Sequence, residues 1–236
     1  MAILEIRDVT SGYGEVQILW GTNLTLEKGK LTSLVGTNGA GKTTMLRCVM
    51  GLIKPWSGSI LFDGKDVSKL PAHKKAELGL VLVPEGRQLF TDMSVAENLE
   101  MGASPQRARP HVKKNMDLVF EMFPRLEERK DQKAGTLSGG EQQMLAVARG
   151  IMAEPVILMM DELSLGLAPV LVLDLFESLN QLKEAGITML LVEQNVQMAL
   201  AVSDYGYVLT HGKVELQGQP RELMQDDHVR EAYLGL

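Results

Sequence analysis

Three short segments carry residue types that chemistry can use. Leu137-Ser138-Gly139-Gly140-Glu141 opens an apolar-periodic stretch and stands ahead of an apolar run that ends in Asp161-Glu162. Ser138 and Glu141 have the S-x-x-E spacing of a capping box, in which each side chain satisfies an orphan amide of the first turn. The two glycines between them leave backbone bare at the positive end of a helix, which suits an anion such as phosphate. Alone, the segment also admits the reading of an ordinary cap with a flexible entry. Upstream, Gly36-Thr37-Asn38-Gly39-Ala40-Gly41-Lys42-Thr43 matches G-x-x-x-x-G-K-[ST] in full, between an apolar run (Leu31 to Val35) and a helical one (Thr44 to Met50). In that context glycines let successive amides turn inward around phosphate oxygens. Lys42 can then reach the β- and γ-phosphates, and the Thr43 hydroxyl can take a place on Mg²⁺. Residues 36–43, with Thr44 behind them, are therefore the candidate nucleoside triphosphate site.

Val156 to Met160 is wholly apolar, as a strand buried on both faces should be. Asp161 at its end is placed to hold Mg²⁺ through the water shell. Glu162 can accept a proton from an attacking water.

The elements that must position these groups follow from the pattern around them. Residues 1 to about 35 alternate like strands, with a turn at Glu27-Lys28-Gly29-Lys30, and Ser57 to Gly64 reads as a further hairpin. From about Phe90 to Leu137 the pattern turns helical and is broken by Pro105, Pro110 and Pro124. Beyond it, helix and buried strand alternate: Gln142 to Met152, Val156 to Met160, Val170 to Glu184 and Ile187 to Val192. That alternation implies a parallel sheet flanked by helices. Leu171, Leu175, Leu179 and Leu182 keep helical spacing and read as core. Tyr207 to Leu209 and Lys213 to Leu216 flank a hairpin turn at His211-Gly212, with His211 a surface residue.

Composition limits the class. At 236 residues and 45% hydrophobic, the chain can bury the core of one large domain. A net charge of −6 argues against a general nucleic-acid binder, which needs a basic face. The short basic stretches, His73-Lys74-Lys75 and Arg107 to Lys114, read as solvated surface. One cysteine, Cys48, excludes an internal disulfide and reads as a small core residue. No apolar stretch approaches the roughly 20 residues that cross a bilayer, so the expected location is cytoplasmic.

Together, the phosphate loop, the LSGGE segment and the strand ending in Asp161-Glu162 resemble the ATP-binding subunit of an ABC transporter. Val83-Pro84-Glu85-Gly86-Arg87, Ser164 to Pro169, Val192-Glu193-Gln194-Asn195 and the closing Tyr233-Leu234-Gly235 are similar to the branched-chain amino acid uptake family. The resemblance implies an α/β P-loop cassette with a parallel core sheet, an antiparallel β subdomain and a helical insertion. In that division residues 1–89 and 138–236 form the core and 90–137 the helical part. It also implies ATP and Mg²⁺ as ligands, and Tyr13 in Gly12-Tyr13-Gly14 as the ring that stacks on adenine. Leu137 to Glu141 would close over ATP held by a second subunit, a different chain in the working complex, although a homodimer can form in isolation. The partners implied are membrane permease subunits and, through them, a solute-binding protein. The chain would sit at the inner face of the membrane, and Glu85 to Met101, with exposed-looking Leu89, Phe90 and Met93, would receive a permease helix.

Four positions depart from the wider ABC pattern. Glu85 stands where a Gln reads Mg²⁺ and water, with Gln88 the weaker candidate for that role. Ala168 stands for an Asp, Gln194 for a γ-phosphate His, and Leu163 for a Pro. Gln194 can donate to phosphate but cannot gain a proton. ATP binding should therefore be intact, and hydrolysis slower at the site built on this chain. The rival class is a soluble ABC ATPase with no transport role, such as one serving iron–sulfur assembly.

Overall fold

A computed structural model describes residues 1–231; the closing Tyr233-Leu234-Gly235 lies outside them. Two long strands, β1 (Ala2–Tyr13) and β2 (Val16–Glu27), pair with β4 (Ser57–Phe62) and β5 (Lys65–Asp66) in a four-stranded antiparallel sheet ordered β2-β1-β4-β5. A second sheet has the order β10-β9-β3-β8-β7-β6. It consists of β3 (Leu31–Val35), β6 (Leu80–Val83), β7 (Ile157–Asp161), β8 (Thr188–Glu193), β9 (Tyr205–Thr210) and β10 (Lys213–Gly218). Every pairing in it is parallel except that of β9 with the edge strand β10.

Every residue of β3, β7 and β8 is buried, which is why these strands are mainly apolar, with Thr32 and Ser33 inside β3 and carboxylates only at the ends of β7 and β8. Their side chains still alternate between two cores. Leu34, Ile157, Met159, Leu190 and Val192 face α1 (Lys42–Met50) and the antiparallel sheet. Leu31, Val35, Leu158, Met160, Met189 and Leu191 face α6 (Gly139–Ile151), α7 (Pro169–Glu184) and α8 (Val196–Val202). The insertion supplies α3 (Val95–Gly102), α4 (Val112–Met122) and α5 (Pro124–Glu128) to that second core. Pro124 does not merely break the pattern. It opens α5, where its missing amide costs nothing.

Several expectations need correction. The strand β6 and the helix α2 (Ala72–Leu78) were not separated by periodicity, because α2 is short and buries only Lys75. Leu171 is half-buried, whereas Leu175, Leu179 and Leu182 are core. Lys75, grouped above with solvated surface, is fully buried. Its ammonium donates to the carbonyls of Cys48 (3.3 Å) and Val49 (2.8 Å), closing the C-terminal end of the helix that follows the phosphate loop. Arg107 is likewise half-buried and donates to the carbonyls of Ala153 and Glu154.

Burial pushes the Lys75 pKa down to about 8, with Cys48 and Asp66 opposing the shift. Lys75→Met leaves the Val49 carbonyl without a donor, while the Cys48 carbonyl keeps the Gly51 amide, and chemical denaturation should show a loss of about 1–3 kcal/mol. The folded pKa lies below the unfolded value of about 10.4, so the native state releases the proton first. The cost of burying the charge is therefore fully present below pH 8 and fades as pH rises toward about 10.4. The margin of wild type over Lys75→Met should widen across that window. A margin that stays flat would mean the ammonium is not held in this buried position.

Candidate nucleotide site

The parallel register delivers the chemistry to one edge. Val35 lies opposite Glu193, Asp161 opposite Val192, and Val83 opposite Met160. The segments that leave the carboxyl ends of β3, β8, β7 and β6 therefore emerge side by side, where ligands of open α/β sheets bind. They line a cavity of about 400 Å³ bounded by Ile18, Asn38, Gly39, Gly41, Lys42, Thr43, Thr44, Glu85, Glu162, Leu165 and Gln194.

Gly41 adopts φ +108°, a conformation that L side chains rarely reach, and it swings the chain into α1. Gly36, Thr37 and Ala40 complete the loop behind that lining. The Lys42 ammonium donates to the carbonyls of Gly36 (2.8 Å) and Thr37 (3.2 Å) and lies 3.2 Å from Glu162 Oε1. Glu162 is held at φ +49°, its amide donating to Val192 O. Such a conformation persists in a non-glycine residue only where its surroundings fix it.

Asp161 is buried, and its Oδ1 has no hydrogen-bond partner. Burial drives its pKa up to about 6, with a Thr43 hydrogen bond and Lys42 opposing and Glu162 and Glu85 adding to the rise. An orphaned buried carboxylate oxygen beside a threonine hydroxyl is the donor set a hard cation lacks a partner for, so Thr43 and Asp161 fit Mg²⁺. Glu85 lines the same cavity, whereas Gln88 turns away into a different groove. Of the two candidates, Glu85 is the one that faces the cavity.

Glu193 has no role in the readings above, yet it is fully buried one residue before Gln194. Its two oxygens accept from the Ser164 amide (2.9 Å) and hydroxyl (2.8 Å), tying β8 to the loop that follows Glu162. Burial raises its pKa and the Ser164 bonds oppose that. The signal was available: a carboxylate ending a buried strand, as at Asp161. Tyr13 is 41% exposed, with its hydroxyl accepting from Arg47 (3.1 Å) and Thr44 (3.5 Å). Its ring therefore stands beside the first turns of α1 rather than in an isolated turn.

None of Leu137 to Glu141 lines this cavity. Helix α6 begins at Gly139, earlier than the apolar period indicates, and Ser138 and Glu141 form the reciprocal capping box. Arg129 pairs with Glu141 at 2.8 Å. A Cβ on Gly140 would stand 2.5 Å from Leu171 Cδ1, so α7 packs against bare backbone there.

A second groove, of about 480 Å³, runs between β6 and α6 and includes Leu82, Pro84, Gln88, Phe90, Met101 and Arg149. Phe90 is 45% exposed with the Arg149 guanidinium 5.5 Å above its ring, while Leu89 packs against the core and Met93 is half-buried. Of the three apolar residues noted in the sequence, Phe90 alone presents itself openly. Between cavity and groove, Gly86, Arg87 and Gln88 take φ +75°, +65° and +46° in succession. Each non-glycine residue so placed costs roughly 1–3 kcal/mol.

A profile of the ABC transporter family matches residues 19–164. The high-affinity branched-chain amino acid transport ATP-binding protein BraG of Pseudomonas aeruginosa is 42% identical over 233 residues, 99% of this chain and 100% of that protein. The probable branched-chain amino acid transport ATP-binding protein LivF of Archaeoglobus fulgidus is 35% identical, covering 99% of each. The lipopolysaccharide export system ATP-binding protein LptB of Escherichia coli is 32% identical over 100% of this chain and 98% of its own. A solved ATP-binding cassette of an ABC transporter in its ADP conformation superposes with a TM-score of 0.87 at 28% identity, covering 100% of both chains.

Proposed function

This chain belongs to the ABC transporter family of ATP-binding proteins, and on that premise we propose that it hydrolyses ATP to drive uptake of branched-chain amino acids or a related small solute. The observation that carries the reading is the convergence of Lys42, Thr43, Glu85, Glu162 and Gln194 on one cavity at the carboxyl edge of the sheet. The phosphate loop holds the triphosphate, and Thr43 and Asp161, with Glu85 nearby, would hold Mg²⁺, whose charge would neutralise that of the phosphates. Lys42 gives up Glu162 for phosphate oxygens, which frees the carboxylate to take a proton from water. Gln194 donates an amide hydrogen bond to the γ-phosphate, and Tyr13 stacks on adenine. Leu137 to Glu141, lying outside this cavity, serve ATP on a second subunit.

The solute class rests on the names of two full-length relatives at 42% and 35% identity. Lipopolysaccharide export, named for relatives at 32%, is the second reading. The groove at Phe90 is the docking place for a permease segment, which puts the chain on the inner membrane face. Among the described residues no helix is long and apolar enough to cross a membrane itself.

The test is ATP hydrolysis by the complex co-purified with its permease and reconstituted in vesicles. Solute-binding protein loaded with leucine, isoleucine or valine should raise the rate severalfold. In Phe90→Glu that stimulation should be lost while ATP binding stays. Absence of stimulation by any of the three amino acids would overturn the solute assignment.

A further inference from the structure

The Arg87 guanidinium donates to two consecutive side chains of α6, Gln142 Oε1 at 2.9 Å and Gln143 Oε1 at 3.3 Å. The amide of Gln142 in turn donates to Leu137 O at 3.2 Å, the first residue of the LSGGE segment. A Cβ on Gly139 would lie 3.3 Å from the same guanidinium. The Arg87 carbonyl accepts from Arg149 at 3.1 Å, and Arg149 covers the ring of Phe90. Two residues before Arg87, Glu85 lines the nucleotide cavity.

Arg87 itself is the centre of a tight turn that follows Glu85 directly, in which the Gln88 amide donates to Gly86 O at 2.6 Å across Arg87 in the left-handed region. A turn of that kind is rare and strained, and it holds only while its surroundings determine it. Here the Arg87 fork supplies that determination from the side chain and Arg149 supplies it from the carbonyl.

We propose that Arg87 is a positioning residue that ties the Glu85 loop of one ATP site to the LSGGE segment, so that occupancy of the first site sets the place of the second. Resting on the family reading above, this deepens it. The guanidinium presents a planar fork to two adjacent amide oxygens, which a lysine ammonium cannot reproduce. When Glu85 moves toward a bound metal and γ-phosphate, the strained turn transmits the displacement to Gln142 and thence to Leu137. It transmits the same displacement through Arg149 to the groove at Phe90. Because Arg87 itself does not line the cavity, ATP affinity at this chain's own site should not depend on it.

The experiment compares full-length wild type, Arg87→Ala, Arg87→Lys, Gln142→Ala and the Arg87→Ala/Gln142→Ala double variant. MgATP binding and steady-state hydrolysis are measured, with Lys42→Ala as the control. Expected are unchanged binding and KM, a roughly tenfold lower kcat in Arg87→Ala, no rescue by Arg87→Lys, and a double variant no slower than Arg87→Ala. Wild-type kcat in Arg87→Ala, full rescue by Arg87→Lys, a binding loss that parallels kcat, or multiplied losses in the double variant would each overturn the link. If Arg87→Ala does not fold, Gln142→Ala carries the test with the same expected split between kcat and binding. A Lys42→Ala control that still binds ATP would instead defeat the functional reading itself.

Discussion

Lys42→Ala is expected to weaken MgATP binding by about a hundredfold or more, the larger part of it from the loss of charge-assisted bonds to phosphate. Each hydrogen bond to a charged partner contributes about 1.5–3 kcal/mol, and an ammonium at the β/γ junction can make two. Against that stand the bonds Lys42 already makes, to the carbonyls of Gly36 and Thr37 and to Glu162 at 3.2 Å, which must be given up. A net of about 3 kcal/mol remains, or roughly two powers of ten in affinity. The variant also leaves Glu162, only 12% exposed, without a countercharge beside Asp161 and Glu85. Two carboxylates and a third nearby then face an incoming triphosphate, which adds to the loss. Lys42→Met keeps most of the buried stem and separates packing from charge. Equilibrium binding of a fluorescent ATP analogue measures both. Wild-type affinity in the two variants would remove residues 36–43 from nucleotide binding altogether.

How much of this site could be read in advance depended on whether a residue acts through local or distant partners. Lys42 and Thr43 follow from their own loop, because a glycine-rich turn between strand and helix fixes where their side chains go. Asp161 and Glu162 were legible for a related reason: charge at the end of a fully buried strand must emerge at the sheet edge. Glu193 obeys the same rule, but its partner Ser164 comes from another strand's loop, and sequence spacing does not show that pairing. Arg87 was more hidden still, because its partners Gln142 and Gln143 lie more than 50 positions away. Lys75 was misread as solvated because its neighbours His73 and Lys74 do face water, and a seven-residue helix carries too little period to say which face turns inward. The strand β6 was missed since Leu80 to Val83 is a short apolar run, which periodicity alone cannot assign.

Glu162→Gln should stop turnover while strengthening ATP binding, and the pair of effects tests the exchange of Lys42 between carboxylate and phosphate. Removing a general base lowers a rate by about 10²–10⁴, and the residues left in the cavity offer little to replace it. Gln194 is an amide that neither accepts a proton near neutral pH nor carries charge, and Glu85 is the proposed metal-side carboxylate of the same cavity. Binding should move the other way. In the wild type the ammonium leaves an ion pair that is largely shielded from water, with Lys42 4% and Glu162 12% exposed. In Glu162→Gln it leaves only a neutral amide, so MgATP affinity should rise severalfold. With hydrolysis blocked, ATP should also hold two subunits together long enough for gel filtration to resolve a dimer that wild type does not accumulate. If Glu85 and Gln194 slow this chain's own site, as the sequence leads one to expect, the same substitution in a partner subunit should cost the complex more, and single-turnover rates at the two sites measure that difference. Wild-type turnover in Glu162→Gln would place the base elsewhere. Lost turnover with unchanged affinity would keep Glu162 as the base but show that Lys42 does not trade it for phosphate.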